Sequence, residues 1–191
     1  MDLKKEIIKV IGFDPENEAG CLKAIKQNVY FIQYIKNPSK EMQLLTVKRN
    51  AYSIQYIKNP SEEAKLEAVR QNGNSIQYIK NPSKEIKLEA VKQYGYSIQL
   101  IKNPSKEMQL LAVKQNGNSI RFIKNPPEEV QLEAVKQNGN SVQFIKNPSK
   151  ELQKTAIEQS GYNIAVIALC PDWKEFEQEI LDNMMIKDII E

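Results

Sequence analysis

The sequence of 191 residues contains no histidine. Histidine is the commonest general base, the usual partner of a catalytic nucleophile and the commonest metal ligand in proteins. The sequence also has no CxxC pair, no P-loop and no GxGxxG fingerprint. These absences count against hydrolases, zinc proteins and nucleotide-dependent enzymes. We therefore expect a protein that is not an enzyme and has no cofactor, no metal site and no small-molecule substrate.

Aspartate is absent from residues 15–168, and the glutamates of that stretch recur at regular intervals. The recurring positions are Glu41, Glu63, Glu85, Glu107, Glu129 and Glu151. A catalytic pair of carboxylates needs two acids held together in one special place. Regular recurrence indicates a solvated surface instead.

Long apolar runs are also missing. No run approaches the length of about 18 residues that suggests a membrane span. The first 20 residues mix charged side chains with Leu3, Ile7 and Ile8 and do not show the pattern of a signal peptide. We expect a cytoplasmic protein with no membrane partner.

One unit dominates the sequence. Residues 37–58, NPSKEMQLLTVKRNAYSIQYIK, return almost letter for letter from residues 59, 81, 103 and 125, with a period of 22 residues. A more divergent copy spans residues 147–168, and an out-of-register copy lies upstream at residues 23–36. A function of this chain must therefore be a function of a repeat array.

Each unit is predicted to form two short helices, A and B. Asn37-Pro38 fits an N-cap followed by proline at the first position of helix A. Helix A should end near Asn50, because the next column is glycine in five of six copies, which favours a left-handed C-terminal cap. These glycines are Gly73, Gly95, Gly117, Gly139 and Gly161. The remaining SIQYIK predicts a helix B of about two turns, α or partly 3₁₀.

The apolar columns indicate packing on two sides. Projected at 100° per residue, Met42, Leu44, Thr46, Val47 and Asn50 cover an arc of about 200°, wider than the stripe of a surface helix. We expect each helix A to pack on the previous and the next one, as in a solenoid. The isoleucines of helix B should close the layer. The aromatic column is predicted to be core as well, and it comprises Tyr56, Tyr78, Leu100, Phe122 and Phe144.

These units resemble the tandem KNPSEEVQLAAVKQNG-like repeats of bacterial and phage proteins, over residues 23–168. In architecture they are also similar to the leucine-rich-repeat variant solenoids. The resemblance implies an all-α fold, a right-handed α-solenoid of about seven 22-residue two-helix repeats with N- and C-terminal capping helices. It implies no activity, because the family has no catalytic motif.

The chain is predicted to be a single elongated domain spanning residues 1–191. Residues 1–14 should form an N-terminal cap, residues 15–168 the repeats, and residues 169–191 an acidic C-terminal capping helix. That last helix could instead be a dimer interface. Cys21 and Cys170 would lie in the first and last layers, which does not favour a disulfide.

Charge is unevenly distributed along the chain. Residues 169–191 contain two lysines and seven acids, a net charge of −5, whereas the whole chain carries +3. The remaining residues therefore carry +8. A basic array suggests a polyanionic partner or an acidic protein partner.

One surface column of helix B pairs glutamine with lysine three residues later, and no acid lies within the helix. We call these residues the ladder: Gln55, Lys58, Gln77, Lys80, Gln99, Lys102, Arg121, Lys124, Gln143 and Lys146. The lysines could simply complement the helix dipole and the glutamines fill space. However, the last copy keeps Ala156, Ile157 and Ile164 while replacing the ladder by Ala165 and Ala168, which favours a partner, although recent duplication would preserve the ladder equally well.

Two more columns border the ladder. Tyr52 and Tyr96 belong to a variable column, tyrosine or asparagine, which would let different layers contact different groups of a partner. The serine that follows, such as Ser53, is predicted to bond backbone at the start of helix B rather than to act as a nucleophile.

The sequence thus predicts a non-enzymatic solenoid that binds another macromolecule along helix B. The partner is expected to be a protein. One concrete version is a phage or mobile-element inhibitor that occludes a host or defence complex, acting in the host cytoplasm. The alternative is binding of single-stranded nucleic acid, such as RNA, along the basic stripe. A scaffold role is a third hypothesis.

Overall fold

The computed structural model describes residues 8, 9 and 11–190, with side chains up to Met184. In these ranges the chain is an all-α repeat solenoid without strands, in which pairs of an α-helix and a shorter helix recur about every 22 residues. The α-helices of the seven pairs are α1 Glu18–Gln27, α2 Lys40–Arg49, α3 Glu62–Gln71, α4 Lys84–Gln93, α5 Lys106–Gln115, α6 Glu128–Gln137 and α7 Lys150–Gln159. The predicted all-α repeat fold is confirmed.

Helix B is a 3₁₀-helix in the first six pairs, and the chain ends differently. The 3₁₀-helices are η1 Val29–Tyr34, η2 Ala51–Tyr56, η3 Gly73–Tyr78, η4 Gly95–Leu100, η5 Gly117–Phe122 and η6 Gly139–Phe144. The last segments are α8 Ile164–Ile167, η7 Trp173–Phe176 and α9 Glu177–Ile190. Most of the predicted N-terminal cap, residues 1–14, lies outside the described residues.

The α-helices begin two residues later than predicted. In α2 the N-cap is Ser39, whose Oγ accepts a hydrogen bond from the backbone N–H of Met42 at 3.4 Å, and Asn37 and Pro38 precede the helix. Asn103 and Asn147, which also stand before proline, have φ values of 53° and 52°. Asparagine tolerates this left-handed region better than most residues. The Asn-Pro pair therefore forms a turn and does not cap the helix.

The α-helices end where predicted, but not through a left-handed glycine. The C-cap Asn50 is extended, with φ −154°, and its side chain accepts a hydrogen bond from the N–H of Tyr52 at 3.0 Å, which starts η2. In this column only Gly161 has a positive φ among the described residues. A Cβ at Gly139 would lie 2.5 Å from the carbonyl oxygen of Ala156. Glycine is thus needed for close approach of the next repeat.

In four repeats the recurring serine does not cap helix B, contrary to the prediction. Ser53, Ser75 and Ser119 are fully buried, and none of their hydroxyls has a hydrogen-bond partner among the described residues. Ser141 is equally buried and donates to Asn118 Oδ1 in the previous repeat, at 3.1 Å. This column therefore provides a small side chain where two layers meet.

The chain divides into two compact units, residues 1–93 and 94–191. In the first unit α2 packs on α3 and α3 on α4, while η1, η2 and η3 stack in order. In the second unit α5, α6 and α7 pack in the same way. Met42, Thr46, Val47, Ile54 and Ile57 are all buried, as are their equivalents in the next four repeats. The predicted two-sided packing of helix A is confirmed.

A glutamine in the first turn of α2 joins this repeat to the next, which the sequence analysis missed. Gln43 Nε2 donates to the carbonyl oxygen of Pro38 at 3.0 Å, and Gln43 Oε1 accepts from the backbone N–H of Ser61 at 2.8 Å. Gln153 bonds Pro148 and the N–H of Asp172 in the same way. We call this arrangement the glutamine clamp.

The last repeat departs from the register of the others. Gly161 and Tyr162 both have positive φ, and the short helix that follows is α instead of 3₁₀. Ile164, predicted to keep its core position, is 72% exposed, and Val166 is buried in its place. The changed turn rotates the helix, so that a different side chain faces the core.

The C-terminal segment contacts this last repeat. Two salt bridges join it to α7, from Lys150 Nζ to Glu175 at 2.7 Å and from Lys154 Nζ to Glu179 at 2.9 Å. Each carboxylate raises the pKa of its lysine, mainly through the hydrogen bond. Ile180 is buried.

The rate of cysteine alkylation should show how well the C-terminal segment protects the last repeat from solvent. Cys21 and Cys170 are free, buried thiols, and burial raises the pKa of Cys170 to about 11. Because the thiolate is the reactive form, both should react with maleimide much more slowly in native buffer than in urea. We expect Ile180→Ala to speed alkylation of Cys170. The alkylation rate of Cys21, which lies in the other unit, should stay unchanged and serves as the control. Native Cys170 reacting as fast as a free cysteine would contradict this.

Candidate partner-binding surface

All ten ladder residues lie at the surface and are exposed. The first unit carries Gln55, Lys58, Gln77 and Lys80, and the second carries Gln99, Lys102, Arg121, Lys124, Gln143 and Lys146. Each glutamine or arginine lies within a 3₁₀-helix, whereas each lysine follows the helix end by two residues. The structure therefore places the lysines on the turns between repeats.

The ladder glutamines have a structural role of their own. The Nε2 atoms of Gln55 and Gln77 donate to the backbone carbonyls of Tyr52 and Asn74, each at 3.0 Å, and Gln143 bonds Asn140 at 2.9 Å. These bonds hold each amide against its own 3₁₀-turn. The glutamines are thus more than space-fillers, and these residues remain exposed at the surface.

The ladder lysines have no ion pair or hydrogen-bond partner in the part of the chain that the structure describes. They are Lys58, Lys80, Lys102, Lys124 and Lys146. Some lysines on the α-helices differ, because Lys65 pairs with Glu62 at 2.5 Å and Lys106 pairs with Glu129 of the next repeat. Each of these five repeats therefore presents one unneutralised ammonium group on the turn that follows its helix B.

Tyr52 and Tyr96 connect neighbouring layers. The hydroxyl oxygen of Tyr52 accepts a hydrogen bond from Asn72 Nδ2 at 3.0 Å, and its ring meets Tyr78 edge-on, with centroids 5.9 Å apart. Tyr96 contacts Phe122 in the same manner, at 5.6 Å. Both tyrosines are half-buried.

Asparagine in the same column serves a similar purpose. Asn118 Oδ1 accepts from Asn138 Nδ2 of the next repeat at 3.2 Å. The amide oxygen of Asn118 thus replaces the hydroxyl oxygen that Tyr52 offers to Asn72. The variation in this column follows the contacts between layers, a constraint that the sequence pattern alone did not reveal.

The aromatic column of helix B is exposed or half-buried in all five repeats, so its assignment to the core was wrong. Tyr78 is 37% exposed, Leu100 38% and Phe144 36%. A 3₁₀-helix has three residues per turn and therefore three faces. Ile54 and Ile57 occupy the inner face and the ladder the outer one, which leaves the aromatic column on the third face, at the edge between layers.

The described residues contain no group of histidine, cysteine or acidic side chains arranged to hold a metal ion. Among the same residues, no helix has the length and apolar character needed to cross a bilayer.

Comparison with known proteins gives one match, and it covers two repeats. A family model described as "Domain of unknown function (DUF4116)" matches residues 62–105, a span of two 22-residue periods. No curated protein and no solved structure matches the chain. The chain is thus similar to this family over less than half of its length. The description of the family does not name an activity.

Proposed function

We propose that this chain is a non-enzymatic repeat protein that binds another macromolecule through its ladder surface, and that the partner is a protein with an acidic surface. The observation that carries the proposal is the unneutralised lysine on the turn of each of five successive repeats. Some cations on the α-helices, such as Lys65, Lys106 and Lys150, pair with acids of the chain itself, whereas none of the five ladder lysines does so among the described residues. Charges of one sign along a surface steer an oppositely charged partner and define its register.

The exposed aromatic column supports a protein partner. Tyr34 is 50% exposed and Tyr78 37%, and each precedes a surface lysine by two residues. Protein interfaces are enriched in tyrosine, which offers a large apolar ring with a polar end, and charged groups form their rims. Tyrosine between lysines therefore suits an interface with apolar contacts as well as charge.

In its most specific form, the proposal is a phage or mobile-element inhibitor that occludes a host or defence complex in the cytoplasm. It is supported by the resemblance of the repeats to those of bacterial and phage proteins. Co-purification of a defined host complex, with loss of that complex's activity on addition of the pure protein, would test it. An unchanged activity at saturating protein would exclude inhibition.

Single-stranded nucleic acid is the second candidate. The exposure of Tyr78 and Phe144 supports this candidate, because bases stack on aromatic rings while lysines bind the phosphates. Salt distinguishes the two candidates. Neutralising about six phosphates lowers affinity by about a thousandfold between 50 and 200 mM salt, owing to counterion release. Binding to a protein through mixed contacts should change much less.

Charge reversal tests the ladder itself. Lys80→Glu, Lys102→Glu and Lys124→Glu combined should abolish partner binding and leave the thermal midpoint nearly unchanged, because exposed charges contribute little to folding. Binding by calorimetry and unfolding by circular dichroism would measure the two effects.

A charge-matched variant provides the control for this experiment. Lys48→Glu, Lys114→Glu and Lys136→Glu change the net charge equally but lie exposed on the α-helices, away from the turns. This control should keep most of the affinity. Equal loss in both triple variants would mean that net charge, and not the ladder, determines binding.

A further inference from the structure

A groove of about 410 Å³ lies between two successive ladder positions of the first unit. Its lining includes Gln55, Lys58, Pro60, Lys65, Tyr78 and Lys80. Three lysines and an aromatic ring therefore surround one open space. Of the residues that line the groove, only Gln55, Lys58 and Lys80 belong to the ladder.

Lys65 distinguishes this groove from the repeats that have glutamine in the same column. In the same column Gln43, Gln109 and Gln131 donate to the proline carbonyl of their own repeat, at 2.8 to 3.0 Å. The lysine at position 65 instead pairs with Glu62, and its side chain is 17% exposed. Its aliphatic stem lines the groove while the ammonium group remains at the edge.

The groove carries an excess of positive charge. Glu62 neutralises Lys65, whereas Lys58 and Lys80, from successive repeats, have no ion pair among the described residues. The Tyr78 ring forms a further wall and its hydroxyl can donate a hydrogen bond. The site thus offers two ammonium groups and a hydroxyl to an anionic group, with an apolar surface beside them.

We infer that this groove binds the carboxylate side chain of an aspartate or glutamate on an acidic protein partner. The inference rests on the proposed function and adds Lys65 and Tyr78 to the ladder. None of the described residues lining the groove is an arginine, so the groove offers no two-pronged donor to a carboxylate or to a phosphate. Lysines act as point charges, and Pro60 and Tyr78 can contact the methylene groups of an acidic side chain.

The chain itself supplies matched substitutions for a test. Lys65→Gln introduces the residue found at Gln43, and Tyr78→Leu the residue found at Leu100. Lys87→Gln is the control, since Lys87 occupies the column of Lys65 in the next repeat and does not line the groove. All three can be made in the full chain.

The probe is a labelled oligoglutamate peptide, whose binding is measured by fluorescence anisotropy. Lys58→Gln, Lys65→Gln and Lys80→Gln should each weaken binding by up to about fivefold, the upper value for an exposed ion pair. Tyr78→Leu should also weaken it. Lys87→Gln should bind as the unmodified protein does, and all variants should keep its thermal midpoint.

Two results would overturn the inference, and they differ in what they leave standing. One is that the triple variant of Lys80, Lys102 and Lys124 no longer binds the peptide while Lys65→Gln and Tyr78→Leu bind it normally. The ladder would then remain the proposed binding surface, and the groove would be excluded. If an oligouridylate of equal charge binds and the oligoglutamate does not, the carboxylate assignment is wrong and nucleic acid replaces protein as the proposed partner.

Discussion

Replacing Gly117 by alanine should destabilise the second unit by about 3 kcal/mol, the upper part of the usual cost of overpacking. A Cβ at this position would lie 2.3 Å from the carbonyl oxygen of Ala134 and 2.6 Å from Ser141 Oγ. The first of these atoms belongs to the backbone of α6 and cannot rotate away. The methyl group would therefore push neighbouring repeats apart, which would weaken the bond from Gly117 N–H to Gln137 Oε1.

Urea denaturation followed by circular dichroism would measure this effect. Position 51 offers the control, because the same column holds alanine there, with 8% of its surface exposed. Ala51→Gly should change the unfolding free energy by no more than about 1 kcal/mol, chiefly through backbone entropy. A Gly117→Ala protein that unfolds at the same urea concentration as the original would show that the layers can separate freely.

Replacing Pro127 by serine should stabilise the protein by about 1 to 2 kcal/mol. Pro127 stands where other repeats have the N-cap serine, and α6 has no side-chain cap. The substitution would supply a cap worth about 1 kcal/mol. It would also supply an N–H to Gln109 Oε1, a buried acceptor that has no partner among the described residues. Leaving such an atom unpaired costs about 1 to 3 kcal/mol.

Loss of proline opposes these gains by about 0.4 to 1 kcal/mol, because the unfolded chain becomes more flexible. The backbone need not change, since Pro127 has φ −56° and ψ 154° and the equivalent Ser61 has −63° and 155°. The net effect should thus be positive. A lower unfolding free energy for Pro127→Ser would refute the account of the unpaired Gln109.

The reverse substitution is the matched experiment. Ser61→Pro would remove the cap bond to the N–H of Ala64 and the N–H that Gln43 Oε1 accepts. Its backbone angles suit proline, so strain would not explain the result. We expect a loss of about 1 to 2 kcal/mol. The two substitutions should therefore shift the unfolding midpoint in opposite directions.

Some predictions that depend on spacing within one helix succeeded, whereas some that depend on contacts between neighbouring repeats did not. The columns of Val47 and Ile54 were correctly assigned to the core, since spacing along one helix determines which side chains share a face. The position of Gly117 was recognised as special for the wrong reason. Its role depends on a carbonyl oxygen in the next repeat, which no local pattern reveals.

The candidate site shows the same division. That the ladder would be exposed followed from its polar character and its position opposite the isoleucines. The groove between Lys58 and Lys80 could not be foreseen, because it depends on how two repeats approach each other. The exposure of Tyr78 also depends on the three-residue turn of the 3₁₀-helix, whereas the sequence left α and 3₁₀ open.

The sequence by itself determined the period, the pairing of a longer with a shorter helix and the apolar columns, because these follow from residue spacing and helix geometry. Tertiary structure alone decided where the glutamine clamps and the surface tyrosines lie. A glutamine such as Gln43 can bond solvent, its own turn or the next repeat, and only the distance between layers selects the last. Polar contacts depend on separations of a few tenths of an ångström, and these are set by the packing of whole repeats.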